Sequence, residues 1–136
     1  MEPDRQTAQE LLDIQRQLMD REPIFHRPET HGATRTDFET MTAEAFWEVG
    51  ASGRCYNREF VIDTLVRRYA EPREDEWRTE DFYCQEIAAD LYLLTYTLHQ
   101  GPRVTRRTTL WRQGRKGWVA VFHQGTLVEA PYDTGP

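Results

Sequence analysis

Three ionisable side chains stand where apolar runs break off, and apolar walls with a few polar groups set among them are what a small-molecule pocket requires. Phe46-Trp47-Glu48-Val49 carries a carboxylate into the small-residue turn Gly50-Ala51-Ser52-Gly53. Trp118-Val119-Ala120-Val121-Phe122 runs into His123-Gln124-Gly125-Thr126. Arg106-Arg107-Thr108-Thr109-Leu110-Trp111-Arg112 places a guanidinium cluster on a third such run. Alternate residues of a strand share a face, so Glu48 follows Phe46, and Arg107 follows Thr109 and Trp111. A carboxyl group in apolar surroundings has its pKa raised and can serve as a general base near neutral pH. Glu48 has a second reading, as a rim carboxylate paired with an arginine such as Arg54 or Arg107. An inward Arg107 must itself be paired, so it would hold Glu48 or an anionic ligand. Its alternative is a solvated or intersubunit stripe made with Arg106 and Arg112.

His123 raises a question of register. Strict alternation groups it with Val119 and Val121, opposite Trp118, Ala120 and Phe122. Only one set can line a pocket unless a bulge intervenes, which Gly125 would permit locally. The plainer reading is a hydrogen-bonded residue at a strand end. His26, beside Phe25 in the loop after the first helix, is placed to close a pocket mouth. Tyr83, Tyr96, Trp111 and Trp118 are expected to build core and pocket wall. No metal site is expected: His26 and His31 are five apart and lack a third convergent ligand. Neither a glycine-rich phosphate loop nor a nucleophile elbow is present, so no cofactor is expected.

The elements that must position these groups are legible. Thr7-Ala8-Gln9-Glu10 fits a capping box, followed by Leu11, Ile14 and Leu18 at helical spacing up to Pro23. Glu22 to Arg35, with Pro23, Pro28 and Gly32, reads as a loop. Thr36-Asp37-Phe38-Glu39 opens a short second helix through about Met41. Asn57 caps a third, with the stripe Phe60, Val61, Leu65 and Tyr69, which Pro72 stops. Residues 45–49 and 54–56 form a short hairpin. After an acidic linker over 71–76, four strands follow at roughly 77–87, 91–99, 103–112 and 118–124, joined by turns short enough for antiparallel neighbours. Helices followed by a strongly curved antiparallel sheet give an α+β fold. Strand 91–99 is apolar on both faces, with Tyr92, Leu94, Tyr96 and Leu98 on one and Leu91 and Leu93 on the other. A sheet covered twice needs a second cover, so a homodimer through the outer sheet face is expected.

The 136 residues suit one domain over 1–136, and 38% hydrophobic residues are too many for a disordered chain. A formal charge of −6 argues against nucleic acid, whose phosphates want a basic partner. The longest apolar stretch, Leu91 to Leu98, is far short of the ~20 residues of a membrane helix. No apolar stretch follows a basic one at the N-terminus, so the cytoplasm is the expected compartment. Cys55 and Cys84 are then expected to be reduced packing residues.

In order of elements and in three segments, Phe46 to Arg54, Arg107 to Arg112 and Phe122 to Thr126, the chain resembles the nuclear transport factor 2-like superfamily. That superfamily is the cone fold shared by ketosteroid isomerase, scytalone dehydratase and SnoaL-type cyclases. The three segments look like those of its bacterial branch of stand-alone domains of unknown function. The resemblance covers residues 7 to 128 and implies a curved sheet wrapped around three helices with a conical apolar pocket. Glu48 occupies a place comparable to the acidic base of ketosteroid isomerase, whose tyrosine and protonated aspartate have no pattern match here. His123 could supply the histidine of the dehydratase and cyclase pair, with no partner acid fixed by the sequence. Two functions are expected. One is a binder of a small apolar or aromatic molecule, with cofactor-free isomerisation, cyclisation or dehydration using Glu48, His123 and Arg107. The other is a non-catalytic dimeric interaction or sensing module.

Overall fold

The computed structural model describes residues 1–27, 33–71 and 76–129. The loop positions Pro28, His31 and Gly32, the helix stop at Pro72 and the middle of the acidic linker lie outside the described residues.

The first helix does not start where a capping box at Thr7 would put it. A 3-10 turn, Gln9–Leu11, leads into α1 (Leu12–Met19), and no side chain caps either N-terminus. The Thr7 hydroxyl bonds the Gln15 side chain instead and accepts the Cys84 amide at 3.0 Å, tying the N-terminal segment to the sheet. The chain leaves helical geometry before Pro23, as expected for residues ahead of a proline ring. The second cap lies two residues earlier than the sequence suggests. α2 (Arg35–Thr40) opens on Thr34, whose hydroxyl accepts the Asp37 amide while the Asp37 carboxylate accepts the Thr34 amide at 2.8 Å. Aspartate thus closes the box usually made by glutamate or glutamine. α3 (Arg58–Tyr69) is capped as expected, with Asn57 accepting the Phe60 amide at 2.8 Å. Its buried stripe is Val61, Ile62, Leu65 and Tyr69; Phe60 stays outside the core and stacks on Tyr56.

The strands are β1 (Thr42–Val49), β2 (Cys55–Asn57), β3 (Arg78–Ala88), β4 (Leu91–Gln100), β5 (Arg103–Gly114) and β6 (Gly117–Leu127). They form one curved, unclosed sheet in the order β2-β1-β6-β5-β4-β3. β1 and β2 make the hairpin, whose turn uses Gly53 at φ +94°, a left-handed conformation that favours glycine. β3 to β6 form the antiparallel meander. β1 lies parallel to β6, so the sheet as a whole is mixed. The chain passes from the hairpin through α3 to the far edge of the sheet, and the meander then returns strand by strand to meet β1. The resulting α+β architecture is the expected cone.

The concave face packs against the helices. Leu18, Ile24, Phe38, Phe46, Val61, Ile62 and Leu65 meet Leu94, Leu98 and Trp111 there in one core. Of the two free cysteines, Cys84 is buried, and burial pushes its thiol up to about 11. Cys55 is exposed on β2 and does not pack in the core. Among the described residues no helix is long and apolar enough to cross a membrane.

Candidate functional site

The register question at His123 is settled by a bulge, and it lies before the histidine rather than at Gly125. Along β5 and β6, Leu110 pairs with Phe122 but Trp111 pairs with Ala120, which leaves Val121 as an extra residue. One inserted residue reverses the parity of everything after it. Trp118 and Ala120 face the core ahead of the bulge, and His123 and Gly125 face it afterwards. His123 then sits opposite Thr109 on β5 and Glu48 on β1.

Arg107, Thr109 and Trp111 share the concave face of β5, and Tyr96 stands beside Arg107 on β4. Arg107 does not join a surface stripe. Its Nε donates to Thr105 Oγ1 at 2.9 Å, and its Nη1 reaches His123 Nε2 at 3.4 Å. The guanidinium lies against Gly125, whose Cα side is open enough for the contact, with Nε and Cζ 3.5 Å from where a Cβ would stand. On the other side of the ring, His123 Nδ1 is 2.7 Å from Thr109 Oγ1. Burial, and then the Arg107 charge, push the imidazole down to about 3, so it is neutral.

The sequence reading missed the residue at the bottom of this column. Glu22 is wholly inaccessible to solvent. Tyr96 donates its hydroxyl to Glu22 Oε1 at 2.7 Å, and Trp111 donates its indole N–H to Oε2 at 3.0 Å. Burial raises the Glu22 carboxyl above its ordinary range, while these donors and the Arg107 charge pull it back. Tyr96 is pushed well above an ordinary phenol by burial and then by Glu22, which keeps its proton available to donate. The segment that presents Glu22 is clamped by α3. Tyr69 donates its hydroxyl to the Ile24 carbonyl at 2.6 Å and accepts the Arg27 amide at 2.7 Å, and Arg68 donates to the Phe25 carbonyl. The one available signal was position: Glu22 directly precedes Pro23, so it is turned off the helix that would otherwise have held it on an exposed face.

Glu48 stands at the upper end of the column. It follows the buried Phe46 on β1 and is itself half-buried. Burial, reinforced by the Glu22 charge and opposed by Arg107, pushes its carboxyl up to about 7. Among the described residues Glu48 makes no direct ion pair with Arg107 or Arg54; Arg107 acts on it through space. A group poised near neutrality beside a fixed cation can take up and release a proton at physiological pH.

The other expected site residues are engaged elsewhere. His26 bridges α3 and the end of β4, its Nδ1 accepting from Arg68 at 2.8 Å and its Nε2 pairing with Gln100 at 3.1 Å. Trp118 donates to the Gln17 side chain at 2.9 Å and packs edge-on against Tyr92. Trp111 and Tyr96 line the column, but as donors to Glu22 and fully buried. Tyr83 is half-buried on β3. Among the described residues no three His, Cys, Asp or Glu side chains converge as metal ligands.

No protein-family model matches the sequence, and no curated protein sequence matches it. Solved structures do resemble it. A nuclear transport factor 2-like protein from Cytophaga hutchinsonii superposes with a TM-score of 0.60 at 14% identity, over 90% of this chain and 100% of that one. A protein from Parabacteroides distasonis, provisionally described as a ketosteroid isomerase, gives 0.64 at 12% identity over 94% and 98% of the two chains. A provisional calcium/calmodulin-dependent kinase II association domain from Exiguobacterium sibiricum gives 0.54 at 18% identity over 96% and 99%.

Proposed function

We propose, for a chain with the nuclear transport factor 2-like fold, that it binds a small, largely apolar or aromatic molecule at the mouth of its cone and moves a proton there without a cofactor. The protein would be a cytoplasmic homodimer, joined through the outer sheet face. The observation that carries this reading is the pair Glu48 and Arg107: a half-buried carboxyl poised near 7 beside a fixed guanidinium. Glu48 is the base or acid. Arg107 holds the oxygen on which negative charge develops, as in isomerisation, cyclisation or dehydration next to a carbonyl. Proton transfer is assigned to Glu48 alone. His123 is neutral, and both its ring nitrogens are engaged by Arg107 and Thr109, so its part is to hold Arg107 in place. General acid–base placement of this sort is worth about 10²–10⁴ in rate.

The test uses 8-anilinonaphthalene-1-sulfonate, an aromatic anion whose fluorescence rises in apolar sites. At pH 8 Arg107→Met should weaken its binding about tenfold, and Glu48→Gln should tighten it by removing a neighbouring negative charge. Unchanged binding in both variants would remove the two residues from any ligand site. A second reading is favoured by Trp111, which is 1% exposed and fills the deep end of the cone with Tyr96. On that reading the domain is an association or sensing module, as the description of the Exiguobacterium sibiricum protein suggests for that protein. No dye binding at the cone, with a stable dimer, would select it.

A further inference from the structure

We propose that a second cavity, at the Trp111 end of the cone, binds a monocyclic aromatic carboxylate, with its ring beside Phe38 and Trp111 and its carboxylate on Arg21. The site is independent of the function proposed above, since none of Glu48, Arg107 and His123 lines it. Arg107 stands four residues back along β5, roughly 13 Å at the rise of a strand. Three elements meet here without filling the space between them. Strand parity brings Trp111 to the concave face, α2 turns Phe38 inward, and the segment after Pro23 presents Ile24. Met41, the C-cap of α2, closes one side and is anchored by its carbonyl, which accepts the Ala120 amide at 2.8 Å. Asp20, Arg21 and Arg27 complete the lining around a volume of about 120 Å³.

The size and the walls select a ring. An apolar cavity of about 150 Å³ admits benzene and stays dry when empty. This one is slightly smaller, and the unbranched, half-buried Met41 side chain supplies the adjustment. A fused bicycle is too large for it. Ile24, Phe38 and Trp111 are all buried, so the ring meets dry apolar surface, and the two aromatic side chains suit offset or edge-on contact. The lining carries two guanidinium groups against one carboxylate, Asp20, so the substituent turned to solvent is an anion. Glu22, the other acid beside Arg21, does not line the cavity and has its oxygens taken by Tyr96 and Trp111. Arg27 is committed elsewhere, donating to the Met19 carbonyl and lying over the Trp77 ring at 5.5 Å. Arg21 is exposed, and among the described residues its guanidinium makes one contact, Nη1 to the Gln17 carbonyl at 2.9 Å. The edge formed by its Nε and Nη2 is therefore open to a bidentate carboxylate.

The test follows the methionine methyl groups of the full-length protein by carbon-13 NMR, with Met41 assigned by its loss in Met41→Leu. Benzoate should shift the Met41 methyl saturably through its ring current and leave Met1 unmoved. Benzyl alcohol should bind more weakly, and benzylammonium weakest. Arg21→Gln should weaken benzoate severalfold and leave benzyl alcohol unchanged, while Ile24→Trp should fill the space and abolish the response to all three. No Met41 shift with any probe overturns the site, and so does a saturable shift that survives Ile24→Trp. Preference for benzylammonium would overturn the anionic ligand class, with Asp20 and not Arg21 deciding the rim. If Ile24→Trp fails to fold, Arg21→Gln decides alone, and benzoate binding that it leaves unchanged overturns the proposal. Anilinonaphthalene sulfonate, too large for this cavity, should not displace benzoate. Displacement would mean a single ligand site at the mouth of the cone, which rejects the second cavity and leaves the function proposed above standing.

Discussion

Glu48 and His123 are displaced in opposite directions by the same burial, and stability should record both. The Glu48 carboxyl rises from its ordinary 4.5 to about 7, so between those values the unfolded chain gives up a proton that the folded chain keeps. Stability therefore falls as pH rises through that window. The His123 imidazole drops from 6.5 to about 3, so below 6.5 the unfolded chain takes up a proton that the folded chain refuses. Stability therefore falls as pH falls through that window. The two slopes oppose each other between 4.5 and 6.5. Glu48→Gln should remove the first, leaving stability that climbs steadily from pH 4.5 to 6.5, and should make the variant the more stable protein above pH 7. Urea unfolding across the pH range measures this; a wild-type curve already as steep as that of Glu48→Gln would mean that Glu48 is not perturbed. Tyr96→Phe tests the bottom of the column. It withdraws one donor from a buried carboxylate at nearly constant volume and should cost about 1–3 kcal/mol, read as a shift of the urea midpoint at unchanged slope.

Among the elements, the bulge in β6 decides most. Val121 is the residue that moves His123 from the outer face to the cone, so deleting it should restore regular pairing and return the ring to the outside. His123 in that variant should titrate near 6.5 rather than about 3, an outcome read directly by NMR. A histidine still neutral at pH 5 would mean that the register is set by β1 instead. Thr34→Ala addresses a second device, the box at the start of α2, and should cost about 1 kcal/mol. How much of this was legible in the sequence follows the range of each interaction. The third helix, its Asn57 cap and the four-strand meander rest on local periodicity and turn residues, and they appear within one to three residues of where the sequence puts them. The box expected at Thr7 does not form and the second closes at Thr34 rather than Thr36, because a threonine with an acidic or amide residue three positions on recurs in this chain, and tertiary partners choose among the matches. The polar column was half legible. Strand parity groups Arg107 with Thr109 and Trp111, but Glu22 enters it through a turn ahead of Pro23 and meets Trp111 across 89 intervening bonds of sequence separation. No local pattern encodes such a meeting.

At the scale of the whole molecule the unexplained surface is the convex one. Register places Leu93, Leu110, Phe122 and Trp47 in a row across β4, β5, β6 and β1 on the face turned away from the helices. Phe122 and Trp47 are in ring contact at 4.8 Å, yet Trp47 remains 45% exposed. An antiparallel meander that meets water on its outer face normally alternates cleanly, and this one does not. A second copy of the chain would cover the row, and a stable pair of this kind needs about 800 Å² from each partner. Each chain carries −6, so two copies repel at long range and the apolar row must supply the attraction. Sedimentation should therefore find a species of twice 16.1 kDa that tightens as salt screens the repulsion. Leu110→Glu puts a carboxylate in the middle of the row and should give a monomer with unchanged far-ultraviolet circular dichroism. The cone lies on the opposite face, so that monomer should keep a neutral His123 and its dye affinity. Loss of the site together with the dimer would instead mean that the sheet holds its curvature only when paired.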